Sequence, residues 1–336
     1  MTIEELIVYI ERGALKYIRN LIEYFRPNKA IIVSDSVVKK HYGHILEEFI
    51  DIPIIWHITD LPTIALDEII IPNTNDLDLV IGFGGGKSID QAKIISKKAH
   101  IPWISIPTAA SHDGIASNVA SINHNGVRYS EPCTEPKAVI ADISIIEKAP
   151  IHLRTAGFGD ILCKLSSLPE WKLGHEFNDE PFDIEIYNMV NSALYSVLED
   201  NSLKTLINAE IQSGVAMSKF GSSRPCSGTE HAISHVMDTI KPHLHGHQVA
   251  FASQFTLYFM RKAGLDVFDP LKLKGILIEH KMPSNLKDLN ISKEIFHKII
   301  DKAVNLMKKR NRYSILQHLK INKEDIDIAI KDLDLM

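Results

Sequence analysis

The segment Leu79-Val80-Ile81-Gly82-Phe83-Gly84-Gly85-Gly86-Lys87-Ser88-Ile89-Asp90 constrains the fold more than any other. An apolar run enters consecutive glycines, and helical periodicity follows from Ser88 to Ala99. A strand that turns through glycines into a helix leaves backbone N–H groups and a helix dipole facing any bound anion. A pyrophosphate suits such a turn, so Gly84, Gly85, Gly86, Lys87, Ser88, Ile89 and Asp90 are candidate cofactor residues. The spacing is neither G-x-G-x-x-G nor the Walker A pattern, and a tight turn without a ligand remains the plain alternative.

Further strand signals surround it. Lys29–Ser34, Ile52–Ile58, Pro102–Pro107 and Lys137–Asp142 are short apolar runs, and Val37–Phe49 between the first two has helical character. Strands alternating with helices predict a parallel sheet with right-handed crossovers. Val119–Ile122 and Val127–Tyr129 flank Asn125-Gly126, the signature of a hairpin. Beyond Pro150 strand signals fade. Apolar residues recur at helical spacing through Asp183–Val197, Leu203–Phe220, Glu230–Ile240 and Gln248–Lys262. We therefore expect an α/β nucleotide-binding domain over residues 1–148 and an all-helical domain over 149–336. Met1–Ile18 reads as an amphipathic helix, and Asn322–Met336 as a closing surface helix.

Composition excludes several classes. The 336 residues carry a net charge of −5, which argues against nucleic acid or an anionic membrane as the main partner. No apolar run approaches the roughly 18–20 residues a membrane helix needs. The N-terminus has acids where a signal peptide carries basic residues. Cys133, Cys163 and Cys226 are too few and too scattered for a disulfide framework, so the chain reads as cytoplasmic.

Three groups of residues can carry chemistry. Thr108-Ala109-Ala110-Ser111 and Ser117 follow a strand, where open α/β sheets bind ligands. Asp113 in the same stretch can accept from a substrate hydroxyl. Asp160 closes Gly157-Phe158-Gly159, a glycine-flanked turn expected to open a helix. His231 and His235 share one helical face at i, i+4, and His243, His245 and His247 crowd a loop before the next helix. One carboxylate with two imidazoles and open positions suits catalytic zinc or ferrous iron. Spacing alone does not choose among His235, His243, His245 and His247. Arg224, between two helices, can clamp an anion or satisfy carbonyls at the preceding helix end. Cys226 has no base beside it and reads as inert.

GGGKSID, PTAASHDGIAS, GFGD, SRPCSGTEHAISH and HGHQVA, in that order, resemble the iron-containing (group III) alcohol dehydrogenase and dehydroquinate synthase superfamily. Within it the pattern is similar to the archaeal-type sn-glycerol-1-phosphate dehydrogenases. The resemblance implies a dehydroquinate synthase-like fold with Asp160, His231 and His247 as zinc ligands. It implies substrate contacts from Asp113, Asp160 and His235, and NAD(P) contacts from Gly86–Asp90, Thr108–Ser111 and Ser117. The implied reaction is reduction of dihydroxyacetone phosphate to sn-glycerol 1-phosphate by NADH or NADPH, for membrane phospholipid synthesis, in a homo-oligomer. A polyol dehydrogenase or a dehydroquinate-synthase-like lyase on the same scaffold is the alternative. Arg224, Lys164 and Lys87 are the cations available for the substrate phosphate, with Lys87 better suited to the cofactor.

Overall fold

The computed structural model describes residues 6–60, 76–124 and 127–336. Strands β1 (Ile7–Glu11), β2 (Ala30–Ser34), β3 (Ile54–Ile58), β4 (Leu79–Gly84), β5 (Trp103–Pro107) and β8 (Ala138–Asp142) form one sheet in the order β1-β8-β5-β4-β2-β3. Every pairing in it is parallel. Strands β6 (Val119–His124) and β7 (Val127–Pro132) make the antiparallel hairpin expected from the sequence; its turn residues Asn125 and Gly126 lie outside the described residues.

Parallel strands covered on both faces read as unbroken apolar runs, because successive side chains enter opposite cores. Ile32, Ile81, Phe83 and Ile140 pack on one face with Leu15 and with Ile18 and Leu21 of helix α1 (Ile18–Phe25), while α2 (Ser36–Glu47) follows β2. Ile31, Val33 and Val80 enter the other core with Ile89 and Ala92 of α3 (Gly86–Ala99). Chain order reverses between β2 and β4, so the crevice at their carboxyl ends is a topological switch point, bordered by Asp35 and Gly84.

The N-terminus departs from the expected amphipathic helix. Ile7–Glu11 is an edge strand paired with β8, and Gly13, at φ +72°, breaks the chain before a 3-10 turn at Ala14–Tyr17. Its branched and aromatic residues suit a half-buried pleated strand, and tertiary pairing overrides the helical spacing.

Helices α4 (Ile143–Ile146), α5 (Ile151–Leu162), α6 (Lys164–Asn178), α7 (Ile184–Glu199) and α8 (Leu203–Phe220) follow. Then come α9 (Thr229–Ile240), α10 (His245–Lys262), α11 (Pro270–Glu279), α12 (Lys293–Lys309), α13 (Ile315–His318) and α14 (Lys323–Asp332). Two compact units result: residues 1–154 with 200–218, and residues 155–199 with 219–336. In the first, Gly214 lets α8 approach the backbone at Ala116 and Ser117, where a Cβ would lie only 2.8 Å away. In the second, α9 packs against α10 and α12; Phe251 and Phe255 of α10 meet Phe296 of α12 edge to face, and Phe259 packs edge to face on Phe255. The tail is more than a surface helix: Leu333 and Leu335 are buried, and the Leu335 carbonyl accepts from Leu286 N–H.

Candidate cofactor turn and metal site

The glycine turn is built as the sequence predicts. β4 ends at Gly84, whose φ of +157° admits little besides glycine, and a Cβ there would strike Ser88 Oγ at 2.7 Å. Gly85 is the N-cap of α3 and donates no side-chain cap, and a Cβ on it would meet open space. The first-turn N–H groups of this 14-residue helix are therefore turned toward an open cradle at the switch point. Lys87 is exposed beside it, and His112 lies against Gly86, its Nδ1 accepting from Gly114 N–H at 2.9 Å.

Other expected cofactor residues have different surroundings. The Asp90 carboxylate is buried, accepting from Lys93 Nζ at 3.1 Å and Ser121 N–H at 3.1 Å. Lys93 also donates to Ser117 Oγ and to the Val119 carbonyl, so Asp90, Lys93 and Ser117 together tie α3 to the hairpin. Ile89 and Ala109 and Ala110 are core residues, and Thr108 N–H donates to the Gly84 carbonyl. Ser111 is half-buried, and Asp113 opens a 3-10 turn at the same strand end. Asp35 caps α2 through Val38 N–H, with its other carboxylate oxygen turned toward Gly84.

The second unit gathers the acid and the histidines. Asp160 is not in a turn that opens a helix; it lies within α5, near its end. The glycines flanking it serve helix contact instead. A Cβ on Gly159 would sit 2.4 Å from the Gly246 carbonyl oxygen, and one on Gly246 would sit 1.7 Å from the Ala156 carbonyl oxygen. This close crossing of α5 and α10 carries Asp160 to the first turn of α10, where His245 and His247 lie inside the helix rather than in a loop. Gly246→Ala should therefore cost about 3 kcal/mol or more, since backbone cannot yield as a flexible side chain would. Thermal unfolding and metal content should fall together in that variant; an unchanged melting temperature would contradict the crossing.

Asp160 and His231 place ligand atoms within 4.8 Å of each other and of Cys163 Sγ. The thiol donates to the Asp160 carbonyl at 3.0 Å, and Lys164 Nζ donates to that carbonyl at 2.8 Å and to Asp160 Oδ2 at 3.3 Å. His245 Nε2 lies 3.8 Å from Asp160 Oδ1, and its ring centroid is 5.0 Å from that of His231. His247 is also buried, but its Nε2 pairs with Thr155 Oγ1 at 2.9 Å. Of the histidines that spacing left open, His245 lies near Asp160 and His231, and the expected His247 pairs with Thr155.

Tautomers follow from the partners. His231 Nδ1 donates to the buried Glu230 carboxylate at 2.9 Å, which leaves Nε2 as a lone pair. Ser234 gives its proton to Gln248 Oε1, so its oxygen accepts from His245 Nδ1 and frees that Nε2 as well. Burial pushes the Glu230 carboxyl up, but His231 and the Gly228 N–H outweigh it and hold the group below the usual carboxylate range. Sequence reasoning passed over Glu230; its place one residue before a candidate ligand was the available signal. His235 is one turn on, its Nδ1 accepting from Arg310 Nη2 at 2.9 Å.

Thr229 is the first helical residue of α9, and its N–H and hydroxyl both donate to the Glu170 carboxylate of α6. Burial pushes the Glu170 carboxyl up to about 7 against the pull of Arg224. Arg224 itself is spent internally: Nε donates to Glu180 at 2.6 Å, and the remaining donors reach the carbonyls of Glu170, Tyr313 and Ser227. Cys226 is buried beside it.

Residues 9–150 match the family described as iron-containing alcohol dehydrogenase. Over 95% of its length the chain is 34% identical to the glycerol-1-phosphate dehydrogenase [NAD(P)+] of Methanosphaera stadtmanae, covering 94% of that protein. The chain belongs to the glycerol-1-phosphate dehydrogenase [NAD(P)+] family. The Pyrococcus horikoshii member is 32% identical over 96% of both chains. The fold is shared beyond the glycerol-1-phosphate dehydrogenases: a probable glycerol dehydrogenase from Sinorhizobium meliloti superimposes with a TM-score of 0.77 at 20% identity, covering 98% of this chain and 96% of that one. Among the described residues, no helix is long and apolar enough to cross a membrane.

Proposed function

We propose that this chain reduces dihydroxyacetone phosphate to sn-glycerol 1-phosphate with NADH or NADPH, with the help of a divalent cation. The observation that carries the reading is that Asp160 lies beside His231, with His245 3.8 Å from the Asp160 carboxylate, in a chain whose full-length relatives are named glycerol-1-phosphate dehydrogenases. Asp160, His231 and His245 would hold the cation, zinc or ferrous iron. When bound, it supplies Lewis acidity toward the substrate carbonyl, while the nicotinamide supplies hydride.

The chain's own part is orientation and charge. Glu230 fixes the His231 ring and keeps its Nε2 available. Lys164 offsets part of the Asp160 charge and holds that carboxylate from its own helix. The uncapped first turn of α3 and the neighbouring Lys87 receive the cofactor pyrophosphate. Asp113 and His235 are assigned to the substrate, with Thr108–Ser111 lining the cofactor strand end. The three free cysteines suit a reducing cytoplasm, and we assign the enzyme there as a homo-oligomer serving phospholipid synthesis.

Oxidation of NADH and NADPH should be followed with dihydroxyacetone phosphate and with dihydroxyacetone. We expect kcat/KM to favour the phosphate ester at least about a hundredfold, because a lost charge-assisted contact costs roughly 2–3 kcal/mol. Preference for the unphosphorylated polyol would make this a glycerol dehydrogenase. Phosphate elimination without net NADH consumption would make it a lyase.

A further inference from the structure

A substrate phosphate needs cations, and the structure removes two of the three that the sequence offered. Arg224 spends its guanidinium on Glu180 and three carbonyls, and Lys164 is wholly buried on Asp160. Two other arginines stand next to them. Helix α12 ends at Lys309, and Asn311, at φ +51°, turns the chain so that Arg310 and Arg312 both point back into the helical unit.

Neither arginine forms an ion pair within 4.0 Å with any carboxylate among the described residues. Arg310 uses one nitrogen, on His235 Nδ1 at 2.9 Å. Arg312 makes only neutral contacts: Nη1 with Ser227 Oγ at 3.3 Å and its carbonyl at 3.4 Å, and Nη2 with Ser223 Oγ at 3.0 Å. Burial, reinforced by Arg224 and Arg310, pushes the Arg312 guanidinium down to about 10, while Glu180 and Glu230 pull the other way without pairing. Burial lowers Arg310 too. Partly desolvated like charges without a counter-ion are an unfavourable arrangement that a dianion relieves.

We infer that Arg310 and Arg312, with the hydroxyls of Ser223 and Ser227, form the subsite that receives the substrate's phosphate. This rests on the proposed reduction of a phosphate ester. The His235 ring, held by Arg310, is 6.4 Å from that of His231, so a single histidine stands between this arginine and the nearest cation ligand. Guanidinium groups offer paired donors in the planar geometry that phosphate oxygens accept, which lysines do not.

Arg310→Gln and Arg312→Gln should each be assayed with dihydroxyacetone phosphate and dihydroxyacetone, and inorganic phosphate should be titrated in thermal-unfolding runs. We expect the ratio of kcat/KM between the two substrates to fall at least about thirtyfold, mainly through KM, with Arg310→Lys recovering part of it. Phosphate should raise the wild-type melting temperature and lose that effect in the variants. Equal losses on both substrates would reduce the arginines to positioning His235 and overturn the subsite. If Arg312→Gln does not fold, Arg310→Gln and Arg310→Lys decide, since Arg310 makes a single side-chain bond. A wild type inactive on the ester but stabilised by phosphate, with the variants insensitive, refutes the functional reading and keeps the anion site. No phosphate effect on the wild type overturns the site itself.

Discussion

Asp160→Ala is expected to lower kcat/KM for dihydroxyacetone phosphate at least about a thousandfold and to strip the purified protein of its divalent cation. The carboxylate is the one anionic ligand in the proposed set, while His231 and His245 contribute neutral nitrogens whose Nδ1 protons are held by Glu230 and Ser234. Removing it also leaves the buried Lys164 ammonium with the Asp160 backbone carbonyl but without its carboxylate partner, so the pocket turns repulsive to a cation. The third ligand is tested in parallel. His245→Ala should lose the metal, whereas His247→Ala, which breaks a contact with Thr155, should retain it. Elemental analysis of the purified variants reads this without any assay of turnover. A metal-replete Asp160→Ala protein, or retention by His245→Ala with loss by His247→Ala, would reassign the ligands. NADH binding should be unaltered throughout, because the glycine turn belongs to the other unit.

What the sequence disclosed depended on how local the cause was. β2, β4, β5 and β8 were legible because strands buried on both faces must be apolar throughout, and the glycine turn because only glycine accepts its geometry. The N-terminal strand was not legible, since Ile7–Glu11 becomes extended only by pairing with residues 138–142. Asp160 was singled out for its chemistry but misplaced in a turn, because glycines beside it signal loops when read alone. Their role as a crossing point depends on Gly246, far along the chain. The same holds for the histidines, where i, i+4 spacing identified the face of α9 but no local rule could choose among residues of α10. Arg310 and Arg312 sit in a basic run, Lys308-Lys309-Arg310-Asn311-Arg312, which carries no local sign of what surrounds it. Partial burial of its two arginines is a tertiary fact.

Arg224→Met should lower stability by about 3–5 kcal/mol, the cost of leaving a buried charge without its partner. The Arg224 side chain is 4% exposed and its partners Glu180 and Glu170 are 8% and 0% exposed, so solvent screens little of the loss. Glu180 also accepts from Tyr313 N–H, and Glu170 from Ile315 N–H and Thr229, so one guanidinium joins α6, the start of α9 and the chain after α12. A fall of about 10 °C in Tm is expected for a protein of this size. The double variant Arg224→Met/Glu180→Gln should recover part of it, because two neutral groups are cheaper to bury than one unpaired carboxylate. Its melting temperature therefore separates an ion-pair role from simple loss of volume, which the second substitution could not repair. The same variant speaks to the phosphate. If Arg224→Met kept its melting temperature and instead raised KM for the ester alone, Arg224 would be the substrate's cation, and the internal contacts described for it would be incidental.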